Sequence, residues 1–284
     1  MIMMNRFAVF IMVHGRPEKK WTYNSLRRQG YTGKIFLVAD DLDETVTEYR
    51  KMYGDELLVF DKQAAAGDVD AGDNTGDLRS TLFAVNTIGE LARKQGMKHY
   101  AIMCDDYKGF YYKYDQRLKY KERKVGNLDS VFKALLKFYE GTNALTVAMA
   151  QNGDFLGGKD SPRGWASKVM LHRKAMNTFF CSVDRPFKFV GRLNEDVNTY
   201  VLLGGRGKLF LTVPNVAIIQ HPSQQQEGGL TDVYRDYGTY IKSLFAVMYN
   251  PSCVSIRSMG YKQKRLHHRV HWPTAVPKVL AGAA

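Results

Sequence analysis

The feature that most constrains the fold is a repeated order in which an apolar run is followed by a helical pattern. "FAVFIMVHG" is uninterrupted and apolar, which is typical of a strand buried on both faces of a sheet. "PEKKWTYNSLRRQG" then has the pattern of a helix that begins at proline and ends at glycine. The same order recurs in "GKIFLVADD", "DLDETVTEYRKMYG" and "ELLVFDK", which predict a strand, a helix closed by Gly54 and a strand. This alternation predicts an α/β protein with a mostly parallel central sheet flanked by helices.

The second half of the chain continues the pattern less regularly. "QAAAGDVDAGDNTGD" has glycines and acids without periodicity and predicts a loop, whereas "LRSTLFAVNTIGELARKQG" has helical spacing. "KHYAIMCDD" and "NALTVAMAQ" predict buried strands, and "NLDSVFKALLKFYEG" predicts a helix capped by Asn127. Further on we predict a helix at "NEDVNTYVLLGG", strands at "GKLFLTV" and "NVAIIQH", and one long amphipathic helix over "LTDVYRDYGTYIKSLFAVMY".

The length of 284 residues fits one domain with an appended segment. We predict a single domain over residues 1–260 and a basic tail over residues 261–284 that runs over its surface. No stretch has the continuous apolar length of a membrane span, and the apolar start lacks a cleavage site, so we expect neither a membrane protein nor a secretion signal. Cys104, Cys181 and Cys253 lie far apart, without metal or disulfide spacing, which favours a reducing cytoplasm.

The charge of the chain leaves two interpretations open. The formal net charge of +13 favours a polyanionic partner, because clustered Lys and Arg bind phosphates independently of sequence. A basic protein that is merely soluble has the same composition.

Acidic residues follow several predicted strands. His14 to Pro17 follow the first strand, Asp40 and Asp41 the second, and Asp105 and Asp106 the fourth. Ligands of open α/β sheets bind outside the carboxyl ends of the strands, so these side chains are expected to converge. Any single pair is also explained by the preference of Asp for turns and helix caps.

Transfer from a nucleotide diphosphate is the chemistry that uses such an arrangement. Asp106 would bind a divalent cation that neutralises the leaving diphosphate. Asp40 or Asp41 would accept hydrogen bonds from a ribose or base, and Arg16 would pair with phosphate. The phosphate loop G-x-x-x-x-G-K-[ST] is absent from the sequence, which argues against a P-loop kinase.

Two later stretches complete the predicted site. Glu195 and Asp196 begin a predicted helix, and His221 directly follows a predicted strand. Taken singly, the acids are explained as a charge pair at a helix start and the histidine as a structural residue.

The order of these motifs resembles GT-A glycosyltransferases. More narrowly it resembles the TET/JBP-associated DNA glycosyltransferases, which phages encode beside thymine- and cytosine-oxidising dioxygenases and which are related to the base J glucosyltransferase. The stretches that carry the resemblance are "VHGRPEKKWTYNSLRRQGYTGKIFLVADD", "EYRKMYG", "VFDK", "CDDY", "NEDVN", "QHPSQQQEGGLTDVY" and "RLHHRVHWPTAVPKVL".

The resemblance implies a GT-A (nucleotide-diphospho-sugar transferase) fold, a UDP-sugar donor and a divalent metal, Mn2+ or Mg2+. Asp106 and His221 would ligate the metal, and Asp105 would lie near the sugar or ribose. Asp196, beside Glu195, would be the base that takes the acceptor proton, with inversion at the anomeric carbon. Cys104 stands where the first aspartate of the family's D-x-D motif would be. The segment "QQQEGGL" would close over the donor as a lid.

The acceptor implied by the resemblance is 5-hydroxymethylcytosine, or a related hydroxymethyl-pyrimidine, in DNA. Basic and aromatic residues in "YKGFYYKYDQRLKYKERK" and "YKQKRLHHRVHW" are candidates for DNA contacts. We assign this role to Lys108, Arg265, His267, His268 and Arg269. The alternatives are a glycan, lipid or protein acceptor, a nucleotidyltransferase and a non-catalytic DNA-binding module. The expected location is cytoplasmic, which means the host cytoplasm if a phage encodes the chain.

Overall fold

The computed structural model describes residues 4–151, 171–221, 230–260 and 264–280. They form an α/β fold around a nine-stranded sheet with the order β3-β2-β1-β4-β8-β7-β9-β5-β6. Its strands are β1 Phe7–Met12, β2 Lys34–Asp40, β3 Leu57–Phe60, β4 His99–Cys104, β5 Tyr107–Tyr114, β6 Tyr120–Lys124, β7 Ala144–Gln151, β8 Phe179–Ser182 and β9 Leu209–Gln220. The α-helices are α1 Trp21–Arg28, α2 Val46–Tyr53, α3 Lys62–Gly67, α4 Leu82–Lys94, α5 Leu128–Glu140, α6 Glu195–Gly204, α7 Leu230–Tyr237, α8 Ile241–Tyr249 and α9 Trp272–Ala275. Short 3-10 helices span Met4–Arg6 and Gly54–Glu56, and a separate hairpin pairs β10 Val254–Met259 with β11 Arg265–Val270.

The strand directions confirm the predicted α/β class with a mostly parallel sheet. Strands β3, β2, β1 and β4 are parallel neighbours, and β7 is parallel to β9. Only β5 and β8 of this described sheet run against the common direction. The carboxyl ends of β1, β2, β3, β4, β7 and β9 therefore lie at one edge, and the start of β5 lies there too.

The sheet is buried on both faces, as the uninterrupted apolar runs predict. In β1, Phe7, Val9 and Ile11 pack on the face covered by α1 and α5, whereas Ala8 and Phe10 pack on the face covered by α4 and α6. Successive side chains of a strand point to opposite faces of the sheet, so the residues that face each side must be apolar. None of the helices in the described residues has the length and apolar character needed to cross a membrane.

Several predicted boundaries are wrong for identifiable reasons. Helix α1 begins at Trp21, four positions after Pro17. The segment predicted as a loop begins with α3, because the Asp61 carboxylate accepts a hydrogen bond from the backbone N–H of Ala64 (2.8 Å) and caps that helix. The predicted long helix is two helices, α7 and α8, separated at Gly238, whose φ is +81°.

The strands of the sheet that sequence periodicity missed are β5, β6 and β8, whose pairings are all antiparallel. The β5–β6 hairpin carries an irregular mix of aromatic and basic residues, and β8 has only four residues. The two strands predicted around Pro214 are one strand, β9, whose pairing with β7 shifts register between Val213 and Ala217.

Side-chain contacts hold two segments that lie outside the sheet. Arg192 holds the acidic loop between α3 and α4, because its Nε lies 3.0 Å from Asp73 Oδ2 and its Nη1 lies 3.2 Å from Asp77 Oδ2. The β10–β11 hairpin, called the terminal hairpin below, is followed by α9, where Trp272 stacks on Tyr200 with ring centroids 5.5 Å apart. The division into a domain over 1–260 and a tail over 261–284 stays a prediction.

Candidate active site

Parallel strands bring the predicted acids to one edge of the sheet. Asp40 ends β2, Asp105 and Asp106 follow β4, and His221 follows β9. Because β5 is antiparallel to β9, its first residue Tyr107 pairs with Gln220, which places Asp106 beside His221. The topology thus positions side chains that lie far apart in the sequence.

Asp40 is the centre of a buried polar cluster at the end of β2. Its Oδ2 lies 3.2 Å from Nδ1 of His14 and accepts a hydrogen bond from Nζ of Lys62 at 3.1 Å. Burial opposes the charged form, but the hydrogen bonds and the charge of Lys62 prevail and lower the pKa of Asp40. The same hydrogen bond raises the pKa of His14. Oδ1 of Asp40 is buried without a hydrogen-bond partner among the described residues, so an acceptor is available to a ligand.

Asp41 differs from its neighbour, since it is exposed and its Oδ1 accepts a hydrogen bond from the backbone N–H of Lys62 at 2.9 Å.

Arg16 and Asp105 form a partly buried ion pair. Nη2 of Arg16 lies 2.9 Å and 3.0 Å from the two carboxylate oxygens of Asp105. Burial raises the pKa of Asp105 to about 6, although the guanidinium opposes that shift. Nε of Arg16 is buried and has no hydrogen-bond partner in the described part of the chain. Arg16 therefore orients Asp105 and keeps one donor available.

Asp106 and His221 are neighbours in the structure. The backbone N–H of His221 donates to the carbonyl oxygen of Asp106 at 2.9 Å, and the amide of Gln220 donates to Asp106 Oδ1 at 3.1 Å. Burial raises the pKa of Asp106 and lowers that of His221, which keeps the imidazole neutral. The His221 ring stacks on Trp21 with centroids 4.1 Å apart. Within the described ranges, no three His, Cys, Asp or Glu side chains are arranged as a complete metal site.

Glu195 and Asp196 begin α6 after Asn194, whose left-handed φ of +63° turns the chain into the helix. The hydroxyl of Thr81 donates to Glu195 Oε1 at 2.6 Å, and the N–H of Val197 donates to Asp196 Oδ1 at 2.7 Å. Burial, with repulsion from Asp196, raises the pKa of Glu195 to about 7. Burial also raises the pKa of Asp196.

Cys104 lies between the two acidic pairs. Burial raises the pKa of its thiol, and the charges of Asp106, Asp105, Glu195 and Asp196 raise it further. The end of β4 and the start of α6 are therefore near enough for their carboxylates to act on the same thiol, and we call the region of these four carboxylates and Cys104 the acidic cleft.

A family model described as TET-Associated Glycosyltransferase matches residues 7–229. The chain belongs to this family. The resemblance inferred from the motifs is therefore confirmed, and the protein is a glycosyltransferase.

Solved structures with a similar arrangement have low identity to this glycosyltransferase. A mannosyltransferase from Pyrobaculum calidifontis in complex with GDP-Man and Mn2+ aligns with 11% identity and a TM-score of 0.47, over 81% of this chain and 60% of that one. Glucosyl-3-phosphoglycerate synthase from Mycobacterium tuberculosis aligns with 8% identity and a TM-score of 0.45, over 94% and 87% of the two chains. A fragment of S. aureus TarS aligns with 13% identity and a TM-score of 0.44, over 85% and 65%. A search of curated proteins gives no significant match.

The residues predicted to contact DNA lie in two places in this glycosyltransferase, the terminal hairpin and the start of β5. His268 lies beside the start of α6, because its Nδ1 is 3.3 Å from the amide nitrogen of Asn194. The rings of His267 and His268 have centroids 4.3 Å apart and are tilted by 48° to each other, and Arg265 and Arg269 are exposed on the same strand. Lys108 is exposed at the start of β5, where its charge reaches His221. The predicted lid lies outside the described residues, except for Leu230.

Sequence reasoning missed four cationic residues of the site. His14 and Lys62 were not assigned to the donor set, although "VHG" and "VFDK" each place them directly after a strand. Lys174 and Lys242 were missed as well, since their charges reach Asp196 only through the tertiary fold. No sequence motif distinguishes them from surface lysines.

Proposed function

We propose that this glycosyltransferase moves a sugar from a UDP-sugar to the hydroxyl group of 5-hydroxymethylcytosine, or of a related hydroxymethyl-pyrimidine, in DNA. The observation that carries the proposal is the acidic cleft, in which Asp105, Asp106, Glu195 and Asp196 all act electrostatically on Cys104. The pair Asp105 and Asp106 adjoins the His221 imidazole, and the pair Glu195 and Asp196 adjoins the basic terminal hairpin. Donor and acceptor would thus enter from opposite sides.

The donor nucleotide would bind at the ends of β1, β2 and β3. Asp40 offers a buried oxygen without a partner, and Arg16 offers a buried N–H without one, within the described residues. An oxygen acceptor at the end of the second strand suits a ribose hydroxyl or a base N–H, and a guanidinium suits a phosphate.

Asp106 and His221 fit a divalent cation, because the two residues are joined through their backbones at the partly buried end of β9 and offer a carboxylate and a neutral imidazole. A cation bound there would neutralise charge on the departing diphosphate. Two protein ligands leave coordination positions for diphosphate oxygens.

Asp196 would act as the base. Its carboxylate would accept the proton of the acceptor hydroxyl while that oxygen bonds to the anomeric carbon and the bond from that carbon to the diphosphate oxygen breaks. UDP would leave with the bonding electrons. A single direct displacement inverts the anomeric configuration and needs one base. A raised pKa suits this role, since a base works best with a pKa near the operating pH.

The family description and the charge of the chain support a DNA acceptor. The family is associated by name with TET, and the resemblance places it beside dioxygenases that oxidise thymine and cytosine, whose products would carry the acceptor hydroxyl. The net charge of +13 and the cations at the terminal hairpin provide phosphate-binding groups on the Asp196 side.

The experiment is a nucleoside mass measurement. Purified protein is incubated with Mn2+, a panel of UDP-sugars, and duplexes that contain cytosine, 5-hydroxymethylcytosine or 5-hydroxymethyluracil. We expect one hexose-type mass increase on a hydroxymethylated nucleoside only. We expect Asp196→Asn to lower turnover by about 10²-fold or more with little change in UDP affinity, and Asp106→Asn to weaken UDP binding in Mn2+.

Asp129→Asn is the matched control, because Asp129 also lies in the first turn of a helix but contacts Thr32, away from the cleft. Wild-type turnover in Asp196→Asn would refute the assigned base. A mass increase equal to a nucleotide would identify a nucleotidyltransferase instead.

A further inference from the structure

Two side-chain amides form a chain of hydrogen bonds that ends at the Asp106 carboxylate. Nδ2 of Asn177 donates to Oε1 of Gln220 at 2.8 Å, and Nε2 of Gln220 donates to Oδ1 of Asp106 at 3.1 Å. Asn177 lies two residues before β8, and Gln220 is the last residue of β9. Because β8 is antiparallel to β4, the start of β8 lies at the edge of the sheet where β4 ends. We call the chain Asn177–Gln220–Asp106 the amide relay.

The chemistry of the three groups fixes the direction of the amide relay. An ionised carboxylate only accepts hydrogen bonds, so the side-chain NH2 group of Gln220 faces Asp106. The carbonyl oxygen of the same amide then faces Asn177, which presents its own NH2 group. A flip of the Gln220 amide would set its carbonyl oxygen against the carboxylate. The relay therefore has one favoured orientation.

Backbone contacts anchor the start of the amide relay. Asn177 has a left-handed backbone with φ of +64°, which asparagine adopts more readily than most residues. Its carbonyl oxygen accepts a hydrogen bond from the hydroxyl of the buried Tyr107, and that hydroxyl accepts one from the backbone N–H of Cys104 at 3.2 Å. Tyr107 also pairs with Gln220 across β5 and β9. Asn177 is thus fixed against the strands that carry the other two members.

The backbone on both sides of Asp106 is held independently of the amide relay. Oγ1 of Thr22 donates to the carbonyl oxygen of Cys104 at 2.7 Å and accepts from the backbone N–H of Tyr107 at 2.8 Å. These contacts fix the turn between β4 and β5. The backbone therefore sets the place of Asp106, and the relay sets the rotation of its carboxyl group.

The amide relay engages one of the two carboxylate oxygens. Oδ1 of Asp106 receives the Gln220 hydrogen bond, whereas no described residue donates a hydrogen bond to Oδ2. His221 directly follows Gln220, and its backbone N–H donates to the carbonyl oxygen of Asp106 at 2.9 Å. Gln220 thus orients the carboxylate and adjoins the imidazole along the chain.

We propose that Gln220 and Asn177 are positioning residues that hold Oδ1 of Asp106 and leave Oδ2 for a divalent cation. This proposal rests on the proposed function, which takes Asp106 as a ligand of that cation. Groups that hydrogen-bond to metal ligands orient those ligands, and their loss typically lowers metal affinity by about 10- to 100-fold.

The test measures Mn2+ binding to the full chain in the presence of UDP, from the loss of the electron paramagnetic resonance signal of free Mn2+. Gln220→Met has a similar length but no amide, and it should bind Mn2+ about tenfold more weakly. Asn177→Gly retains the left-handed backbone and the carbonyl oxygen but lacks the amide, so it should weaken binding by about threefold.

A role through Asp106 predicts that two substitutions do not add. Asp106→Asn with Gln220→Met should bind Mn2+ within about twofold of Asp106→Asn alone. Asn86→Leu is the matched control, because Asn86 is half-buried and its amide bonds to the backbone of Leu82 and Phe189 and not to a carboxylate. It should lower Tm but leave Mn2+ affinity within about twofold.

Wild-type Mn2+ affinity in a folded Gln220→Met protein would overturn the amide relay. An equal loss from Gln220→Met with and without Asp106→Asn would also overturn it, because the effect would not pass through Asp106. If Gln220→Met does not fold, Asn177→Gly decides, and unchanged Mn2+ affinity in that variant overturns the relay. Failure of the proposed cation site is seen separately, as wild-type protein that binds no Mn2+ or as wild-type affinity in Asp106→Asn. Either result would overturn the relay too, since the carboxylate would hold no cation.

Discussion

Asp40 has a carboxylate oxygen whose hydrogen bonding is incomplete in the described protein, and this makes it the sharpest test of the donor site. Asp40→Asn should weaken UDP binding about tenfold, because an amide at this position loses the charge that His14 and Lys62 surround. Titration calorimetry with UDP measures the effect. Asp41→Asn is the matched control and should leave UDP affinity within about twofold, since Asp41 is exposed.

Glu195 predicts a stability effect with a definite pH dependence. The pKa of Glu195 is raised to about 7 in the folded protein. Ionising Glu195 in the folded state therefore lowers the free energy of unfolding at high pH, and this loss disappears below the pKa of Glu195 in the unfolded chain. Glu195→Gln should therefore raise Tm at pH 8, and the gain should disappear near pH 5. Thermal unfolding at both pH values measures this.

The control for that experiment is a glutamate whose pKa is shifted in the opposite direction. A hydrogen bond from Lys94 lowers the pKa of Glu90, so Glu90→Gln should give no gain in Tm at pH 8. An equal gain for Glu195→Gln at both pH values would contradict the buried-charge explanation.

The strand-end acids could be placed from sequence because parallel strands deliver their carboxyl ends to one edge. That rule predicted the neighbourhood of Asp106 and His221. It did not predict that Arg16 pairs with Asp105, or that Lys174 reaches Asp196, because these contacts join segments with no pattern in common. Specific pairings depend on tertiary packing that periodicity does not encode.

At the scale of elements, the break between α7 and α8 positions Tyr234 and Lys242 beside Asp196. Gly238 has φ of +81°, and a Cβ there would lie 2.6 Å from Tyr240 Cε1. Gly238→Ala should lower the free energy of unfolding by about 1–2 kcal/mol. Gly67→Ala in α3 is the control, since a Cβ there meets open space and alanine should be neutral or stabilise by up to about 1 kcal/mol. Urea denaturation of both variants measures the difference.

The same break shows where sequence prediction of elements fails. The apolar spacing continues from Leu230 to Tyr249, so periodicity alone predicted one helix, and a single glycine changed the outcome. The parallel strands and the helices between them were predicted well because each has a clear sequence pattern, an uninterrupted apolar run for a strand and helical spacing of apolar residues for a helix. The β5–β6 hairpin was missed because its exposed edge carries basic residues instead of an alternating apolar pattern.

At the scale of the whole molecule, the positive charge predicts salt-sensitive DNA binding. The segment from residue 107 to 124 contains seven Lys and Arg residues and two acidic residues, and most of β6 is exposed. Affinity for any duplex should fall at least about tenfold between roughly 50 and 200 mM salt. Lys121→Gln with Lys124→Gln should reduce the slope of log K against log salt by about 0.9 for each DNA phosphate that these lysines neutralise.

Fluorescence anisotropy over a salt series measures that slope. Lys94→Gln should leave it unchanged, because Lys94 is engaged with Glu90 on α4. A salt-independent affinity would contradict phosphate binding by this surface.

The contact between Asn194 and His268 joins the start of α6 to the terminal hairpin. Under the proposed function, a chain whose sheet has formed while this hairpin is detached would lack one side of its acceptor site. Detachment of that hairpin alone would silence the enzyme while leaving its core intact, so loss of activity should precede global melting on heating.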